Sequence, residues 1–260
     1  MGKVYLVGAG PGSADLLTLR ALRLIQSADV ILFDALVSSE VLQLASSNTR
    51  IIKVGKRSGR KSFSQEDINA LLIHSARSTE VVVRLKGGDP MIFGRAAEEM
   101  ASLREHNIEF EIVPGVTAAC SAAAAAKVSL TDRRIASRVS FLTAHSCEEN
   151  ADKRWIEPCE QNRTLVIYMP GQDYERLSSD LLGVGISATT PCVVISRISS
   201  ADQQLLRTNV GSLNLATALA APAVIIVGDV AESAEQAIAV GNLEHFRSEQ
   251  VRSHVAYSAR

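Results

Sequence analysis

The sequence is poor in cysteine and in aromatic residues, and its charges nearly cancel. Its cysteines are Cys120, Cys147, Cys159 and Cys192; they form no C-x-x-C pair and have no histidine-rich spacing beside them. We therefore interpret them as buried thiols and expect no metal site. The chain has 27 basic against 28 acidic residues, and 4% of its residues are aromatic. It therefore has neither the positive net charge nor the aromatic stacking surface that is typical of nucleic-acid binding. No nucleic-acid partner is expected.

The chain also lacks a long hydrophobic run. No stretch reaches the roughly 18 uninterrupted apolar residues of a membrane span. The first residues, MGKVYLVGAG, have the pattern of a strand and no signal-peptide cleavage site. We expect no membrane partner and predict a cytoplasmic location. The 260 residues, of which 47% are hydrophobic, suffice for one large core or two modest ones, and we expect two.

Short apolar and β-branched runs alternate with turns and helical patterns in the first half of the chain. The runs occupy residues 3–7, 29–33, 50–54, 80–85 and 109–113. Such alternation predicts an α/β domain with a largely parallel sheet.

Two helix starts can be predicted in this half. Apolar residues at helical spacing predict a first helix, and they are Leu16, Leu19, Leu22 and Ile25. Ser13 is expected to cap that helix. Farther on, Ser64 followed three residues later by Asp67 predicts a second helix that begins with a capping box.

The composition changes after Pro114-Gly115. Residues 116–127 are alanine-rich and predict a helix whose small side chains allow close packing. We place a domain boundary there, which gives predicted α/β domains at 1–114 and 115–240 and a polar tail at 241–260. The second domain is expected to have more antiparallel pairing and a helix near 173–184. Its predicted strands lie at residues 138–143, 163–168, 191–196, 204–208 and 223–227.

The first glycine-rich loop, VGAGPG at residues 7–12, follows a predicted strand. A dinucleotide-binding loop would have a third glycine where Ser13 stands, and Pro11 removes one backbone donor from any phosphate cradle. Asp34 has about the spacing of the acidic residue that binds a ribose in such sites. A dinucleotide site and a tight turn without a ligand both stay open on this stretch alone.

The segment KGGDP at residues 86–90 ends a buried strand. Gly87 and Gly88 allow a ligand to approach the backbone, Asp89 supplies an acceptor, and Pro90 prevents the strand from continuing. Strand ends of this kind are where α/β sheets bind ligands. An ordinary turn would leave the flanking basic residues unexplained, namely Arg84, Lys86 and Arg95.

Four stretches in order carry a resemblance to a known family. They are VGAGPG at 7–12, VGKRSGRKS at 54–62, VVRLKGGDPMIFGR at 82–95 and VPGVTAA at 113–119, and YMPG at 168–171 follows them. Over about residues 3–230 the chain resembles the tetrapyrrole methylases, most closely those that methylate uroporphyrinogen III. The resemblance implies two α/β domains with the active site in the cleft between them, and a homodimer.

The resemblance also implies the methyl donor, S-adenosyl-L-methionine, and its product, S-adenosyl-L-homocysteine. Backbone groups, apolar walls and one carboxylate suit this cationic ligand better than a phosphate cradle would. The positions that contact the donor in the family are matched here by Pro11, Gly87, Gly88, Asp89, Ile92, Thr117, Ala118 and Met169.

The implied acceptor is uroporphyrinogen III, whose eight carboxylates call for arginine and lysine. Resemblance selects Lys56, Arg95 and Arg133 from the basic residues as substrate-binding. Because the pyrrole carbon attacks the methyl group in line, the enzyme has to hold both reactants and to move a proton. By family analogy Asp34 and Lys56 are the proton acceptor and donor, and Arg95 with Glu98 is the competing pair.

The activity implied is methylation at C2 and C7 to give precorrin-2, used for siroheme, cobalamin or heme d1. Three other functions within the fold stay open: a later methylase of the cobalamin pathway, a tetrapyrrole carrier without catalysis, and an RNA ribose methyltransferase. A dehydrogenase that uses NAD would rest on the first loop and Asp34 alone.

Several positions depart from the usual family pattern. GAGPGDP has Ser13-Ala14 at its end, PLTHRD reads SLTDRR at 129–134, GRGGEE reads GRAAEE at 94–99, and YMG has become YMPG. We expect these changes to affect the tetrapyrrole side more than the donor side.

Overall fold

The apolar runs of the first half form a parallel sheet. The structure is a computed structural model that describes residues 2–55, 63–144 and 162–234. All pairings in this sheet are parallel, in the order β3-β2-β4-β1-β5. The strands are β1 (Lys3–Gly8), β2 (Val30–Phe33), β3 (Arg50–Lys53), β4 (Val81–Lys86) and β5 (Phe110–Val113). The predicted parallel α/β domain is confirmed.

Both faces of this sheet are covered, as parallel sheets require. One core contains Leu32, Val82 and Leu103, and the other contains Val7, Ile25 and Leu85. The covering helices are α1 (Leu19–Ser27), α2 (Ser39–Leu42), α3 (Gln65–Ser78) and α4 (Ala96–Glu105).

Of the two predicted helix starts, one is confirmed and the other is wrong. The capping box of α3 is confirmed, because Ser64 Oγ accepts from the Asp67 backbone N–H at 3.1 Å and the Asp67 carboxylate accepts from that of Ser64 at 2.8 Å. The expected cap at Ser13 is wrong. Ser13 precedes a short 3₁₀ turn without a side-chain bond, and α1 begins only after Thr18, whose Oγ1 accepts from Ala21 N.

The second half forms a mixed sheet, in the order β6-β7-β10-β8-β9. β6 and β7 are parallel and the other pairings are antiparallel, so the expected antiparallel character is confirmed. The elements are β6 (Arg138–Thr143), β7 (Arg163–Tyr168), α6 (Tyr174–Gly183), β8 (Pro191–Ser196), β9 (Gln204–Asn209) and β10 (Ala223–Val227). Side chains of α6 and of the strands, such as Leu181 and Ile225, share one core.

The chain divides into two units, Met1–Ser121 and Ala122–Arg260. The division falls inside α5 (Ala118–Ala126), the predicted alanine-rich helix. The predicted domain boundary at residue 114, just before this helix, stays a prediction. In the ranges that the structure describes, no helix has both the length and the apolar character needed to cross a membrane.

The capping box allows a first test of the fold. Ser64→Ala removes the acceptor for the Asp67 backbone N–H, so the free energy of unfolding should fall by about 1 kcal/mol. Ser78→Ala is the control, because that exposed hydroxyl only donates to carbonyl groups in the last turn of the same helix. Urea unfolding measures both. Equal stability of the Ser64 variant and the parent would contradict the role of the cap.

Candidate active site

The ends of the parallel strands bring the sequence motifs together. Because the strands of the first sheet are parallel, their carboxyl ends share one edge. The glycine-rich loop follows β1 there, Asp34 follows β2, Gly55 follows β3, Gly87 follows β4 and Pro114-Gly115 follows β5. We call this the carboxyl edge of the first sheet.

Three glycine-containing loops touch at this edge. Gly10 and Gly88 exchange two backbone hydrogen bonds, of 3.2 Å from Gly10 N and 2.7 Å from Gly88 N. A Cβ on Gly8 would lie 2.6 Å from Gly115 Cα, and one on Gly115 would collide with the carbonyl oxygen of Gly88. Gly8, Gly10, Gly88 and Gly115 form what we call the glycine junction. Only glycine fits the contact between Gly8 and Gly115.

Asp89 fastens this junction. Its Oδ1 accepts a hydrogen bond from Met91 N at 2.8 Å, and its Oδ2 accepts one from Gly115 N at 3.0 Å. The carboxylate therefore ties the end of β4 to the end of β5. Each of its oxygens still has a second lone pair with which to accept from a ligand.

The other predicted donor-binding residues of the first unit lie in the same loops. Pro11 follows Gly10, Gly87 precedes Gly88, and Ile92 N donates to the Asp89 carbonyl at 3.3 Å. Thr117 precedes α5 and Ala118 begins it, and Ala118 N lies 3.9 Å from where a Cβ on Gly88 would be. The structure thus brings all of these positions around the glycine junction.

The first loop does not have the geometry of a phosphate cradle. In a dinucleotide site the glycine loop opens directly into a helix, whose N-terminus receives the pyrophosphate. Here a 3₁₀ turn (Ala14–Leu16) intervenes, and α1 begins at Leu19 with its cap already supplied by Thr18. The loop binds Gly88 instead. This geometry speaks against the dinucleotide interpretation.

A group of four charged residues, three of them buried, lies beside the junction. Glu99 of α4 is fully buried; it accepts from Arg84 Nε at 2.8 Å and from Lys86 Nζ at 3.0 and 2.9 Å. Arg84 also binds Asp34 Oδ1 through Nη2, and Lys86 Nζ lies 4.0 Å from Asp34 Oδ2. We call Asp34, Arg84, Lys86 and Glu99 the buried charge cluster.

Burial and charge act in opposite directions in this cluster. Burial disfavours the charged form of Arg84, but the charges of Asp34 and Glu99 outweigh it and raise the pKa of the guanidinium. Burial and the positive charge of Arg84 lower the pKa of the Lys86 ammonium, although Glu99 and Asp34 favour its charged form. The cluster is thus held together by ion pairing against a large cost of desolvation.

Sequence reasoning missed this cluster. Arg84 and Lys86 were interpreted as basic residues that flank a ligand, whereas the structure buries both side chains to 2% exposure in ion pairs. A signal was present, because Arg84 and Lys86 are two residues apart and so point to one face of a buried strand. Such a pair requires acidic partners, which the buried Glu99 and the partly exposed Asp34 provide.

Arg95 and Glu98 form a separate ion pair at the start of α4. Arg95 donates from Nε to Glu98 Oε1 at 2.7 Å and from Nη2 to Oε2 at 2.6 Å. These hydrogen bonds lower the pKa of the Glu98 carboxyl. Arg95 has a left-handed backbone with φ of 56°, and both side chains are half exposed. The competing pair is therefore assembled and accessible to solvent.

In the second unit, Met169 follows β7 with a left-handed φ of 47° and is nearly half exposed, at 46%. Asp132 accepts from Arg134 N and Nε at 2.8 and 3.1 Å and pairs with Arg134 Nη2 at 2.8 Å, and these bonds lower its pKa to about 2. Arg133 is exposed beside this turn. The carboxylate of Asp132 is thus paired with Arg134, the residue that follows Arg133.

Some predictions are left untested. Lys56 and most of its basic loop lie outside the described residues. The position of the active site between the two domains stays a prediction. In the ranges that the structure describes, no group of three or more His, Cys, Asp or Glu residues could hold a metal ion.

Comparison with known proteins relates the chain to a family. The sequence profile of the tetrapyrrole (corrin/porphyrin) methylases matches residues 3–214. The chain is 42% identical over 232 residues to siroheme synthase of Hahella chejuensis and 46% identical over 232 residues to siroheme synthase 1 of Yersinia enterocolitica. It covers 50% and 49% of these proteins, with 88% and 89% of its own length. The chain therefore spans about half the length of the curated relatives it matches.

Solved structures agree with this relationship. A uroporphyrin-III-C-methyltransferase from Thermus thermophilus has a TM-score of 0.75 and 39% identity, over 89% of this chain and 94% of that one. A structure of the Thermus thermophilus uroporphyrin-III C-methyltransferase in complex with S-adenosylhomocysteine has a TM-score of 0.74 and 34% identity, over 88% and 93%. A cobalt precorrin-4 methyltransferase has a TM-score of 0.74 and 29% identity, over 87% and 94%. The chain belongs to the tetrapyrrole methylase family.

Proposed function

We propose that the chain transfers methyl groups from S-adenosylmethionine to C2 and C7 of uroporphyrinogen III and so makes precorrin-2. The observation that carries this proposal is the meeting of the family motifs at the carboxyl edge, where the glycine junction lies beside the buried charge cluster. The relatives called siroheme synthase and the uroporphyrin-III methyltransferases support the choice of substrate. A cytoplasmic homodimer is part of the proposal.

The glycine junction suits the methyl donor. Gly88 has no side chain that would keep a ligand from the backbone, and Asp89 offers a fixed carboxylate to a cationic ligand. Pro11 lacks a backbone donor, and the loop does not open a helix, so the site has no phosphate cradle. When bound, S-adenosylmethionine supplies a methyl group activated by its sulfonium. A relative of this chain binds S-adenosylhomocysteine.

The residues proposed for the tetrapyrrole are basic or acid–base groups. Arg133, Arg95 and Lys56 bind substrate carboxylates in this proposal, and arginine suits them through its bidentate fork. Asp34 accepts the proton that the methylated pyrrole loses and Lys56 donates one. Arg95 with Glu98 is the competing pair for the same task. Holding the pyrrole carbon in line with the methyl group is the main catalytic work.

The direct test is to incubate the purified protein with uroporphyrinogen III and labelled S-adenosylmethionine. Transfer of two labelled methyl groups, with the absorption spectrum of precorrin-2 after oxidation, is the expected result. Turnover only of a later precorrin would favour the second candidate, a cobalamin-pathway methylase, which the similarity to cobalt precorrin-4 methyltransferase suggests. Donor binding without any turnover would indicate a carrier.

A binding measurement separates the methyl donor from a dinucleotide. The protein should bind S-adenosylhomocysteine and show no comparable affinity for NAD, because the glycine loop bonds to Gly88 and does not lead into a helix. Isothermal titration calorimetry measures both ligands in the same buffer. Equal affinity for NAD would refute the assignment of this loop to the methyl donor.

Asp89→Ala should weaken the binding of S-adenosylhomocysteine. Loss of a hydrogen bond to a charged group costs roughly 1.5–3 kcal/mol, which corresponds to about one to two decades in affinity. Met169→Ala should weaken binding as well, through loss of an apolar contact. Calorimetry on the folded variants gives the two affinities.

Asp29→Ala is the matched control for Asp89→Ala. Asp29 lies at the opposite edge of the same sheet, and its carboxylate also accepts two backbone hydrogen bonds, from Glu80 N at 3.0 Å and Val81 N at 2.8 Å. Its loss should lower stability and leave donor affinity at the level of the parent. If Asp29→Ala weakened the donor as much as Asp89→Ala, the effect would be one of folding.

Arg133→Lys should lower kcat/KM for the tetrapyrrole, and Arg133→Ala should lower it further, because lysine keeps the charge but loses the fork. Donor affinity should not change. A salt bridge with Asp132, the simpler role for this residue, is taken by Arg134. Steady-state kinetics on both variants measure the effect.

Arg176→Ala serves as the control for lost surface charge, since Arg176 is a largely exposed arginine of α6 in the same unit. It should have the kcat/KM of the parent protein. A normal kcat/KM for Arg133→Ala would rule out the carboxylate clamp. A parallel loss of donor affinity would move Arg133 to the donor side.

A further inference from the structure

Lys86 and Glu99 are buried charges to which the proposed reaction has so far given no task. Glu99 is completely buried, and both of its oxygens accept from Lys86 Nζ, at 3.0 and 2.9 Å. A buried ion pair adds little net stability compared with apolar side chains of the same volume. Stability alone therefore does not explain why two charged residues stand here in an otherwise apolar core.

Their geometry leads to Asp34. Glu99 Oε1 also accepts from Arg84 Nε at 2.8 Å, and the same guanidinium binds Asp34 Oδ1 through Nη2. Two backbone carbonyls, of Leu32 and Leu85, accept from Arg84 Nη1 at 3.4 and 3.3 Å, so the guanidinium is held on several sides. Asp34 is the one member of the cluster with an appreciably exposed side chain, at 29%.

The charges around Lys86 come from three elements. Among the described residues, Arg84 of the same strand, Asp34 after β2, and Glu98 and Glu99 of α4 interact with its ammonium. Lys86 Nζ is 4.0 Å from Asp34 Oδ2, which is close enough for either charge to affect the other strongly in a buried site. A change of charge at Lys86 should therefore act directly on the Asp34 carboxylate, and a change at Glu99 should act through Arg84, which bonds to both carboxylates.

We propose that Lys86 and Glu99 are positioning residues for proton transfer, which act through Arg84 to fix the place and the charge of the Asp34 carboxylate. This inference rests on the proposed function, in which Asp34 accepts the proton of the methylated pyrrole. Glu99 orients Arg84, and Arg84 occupies Oδ1 of Asp34. Lys86 balances the charge of Glu99 and faces Oδ2, the oxygen left for the proton.

Two single variants test the proposal by changing charge in opposite directions. Glu99→Gln removes a negative charge, so the carboxylate of Asp34 is favoured and its NMR titration should move to lower pH than in the parent. Lys86→Met removes a positive charge, so the titration should move to higher pH than in the parent. Carbon-13 NMR of aspartate-labelled protein follows the titration, and Asp34→Asn identifies the signal. This readout does not need substrate.

Kinetics supply the second readout. The acid limb of kcat against pH should move with the Asp34 titration, down for Glu99→Gln and up for Lys86→Met. The value of kcat at its optimum should fall by about tenfold to a hundredfold, because displacing a reacting group by about 1 Å costs up to about 10²-fold. Affinity for S-adenosylhomocysteine should stay that of the parent, which a general loss of structure would not allow.

The double variant Lys86→Met/Glu99→Gln removes one charge of each sign and serves where a single variant does not fold. Its Asp34 titration should return to that of the parent while kcat stays low, because Arg84 is no longer oriented. Lys3→Met is the control, since it breaks an ion pair with Glu109 at the opposite edge of the same sheet. It should change neither the titration nor kcat.

An Asp34 titration identical to the parent's in both single variants would overturn the inference. So would a double variant whose kcat equals that of the parent. Failure of the parent protein to methylate uroporphyrinogen III would count against the proposed function instead, and the NMR titration would still decide whether Lys86 and Glu99 control Asp34.

Discussion

The contact among three glycine-containing loops is the constraint on which the first unit's site depends. Gly8 and Gly115 lie so close that a Cβ on either would overlap backbone atoms, and Gly88 bonds to Gly10 through both of its backbone groups. This contact brings the ends of β1, β4 and β5 within reach of one carboxylate, Asp89. At Gly88 the missing side chain also leaves open space, because a Cβ there would meet only Ala118 N, at 3.9 Å. Gly88 therefore suits both the packing of the loops and the close approach of a ligand.

β4 links this junction to the residues proposed for acid–base chemistry. Gly87, Gly88 and Asp89 follow the end of β4 directly. Within its last three residues, Arg84 and Lys86 carry the buried charges that bond to Glu99 of α4. The side of the edge that is lined by backbone groups and the Asp89 carboxylate suits a sulfonium, which gains nothing from a phosphate cradle. The charged side suits proton transfer, because fixed ions in a dry environment act strongly on a neighbouring carboxylate. The residues proposed for donor binding thus follow β4, whereas Arg84 and Lys86, which lie beside the proposed proton acceptor, belong to the strand itself.

The strands could be predicted because buried parallel strands appear as short apolar runs, and each run of the first half became a strand within a residue or two of its predicted bounds. The glycine motifs could also be recognised in the sequence, because they end those apolar runs. The start of α1 could not be predicted in the same way, because the spacing of Leu16 and Leu19 continues the helical pattern across the Thr18 cap. Only the backbone geometry shows that the 3₁₀ turn ends before α1 begins. The buried charge cluster could not be predicted from the sequence, because Glu99 and Asp34 are distant from Arg84 in the chain.

The departure GRAAEE bears on how firmly this arrangement is held. Where the family usually has two glycines, Ala96 and Ala97 form the first turn of α4, and each alanine favours a helix over glycine by about 1 kcal/mol. Ala96 is buried in the same core as Leu103. That turn also carries Glu98 and Glu99, so the alanines stiffen the helix that holds both acidic groups without removing either. In the departing segment at residues 129–134, Asp132 binds Arg134 and leaves Arg133 exposed, so the arginine proposed to bind substrate is kept as well.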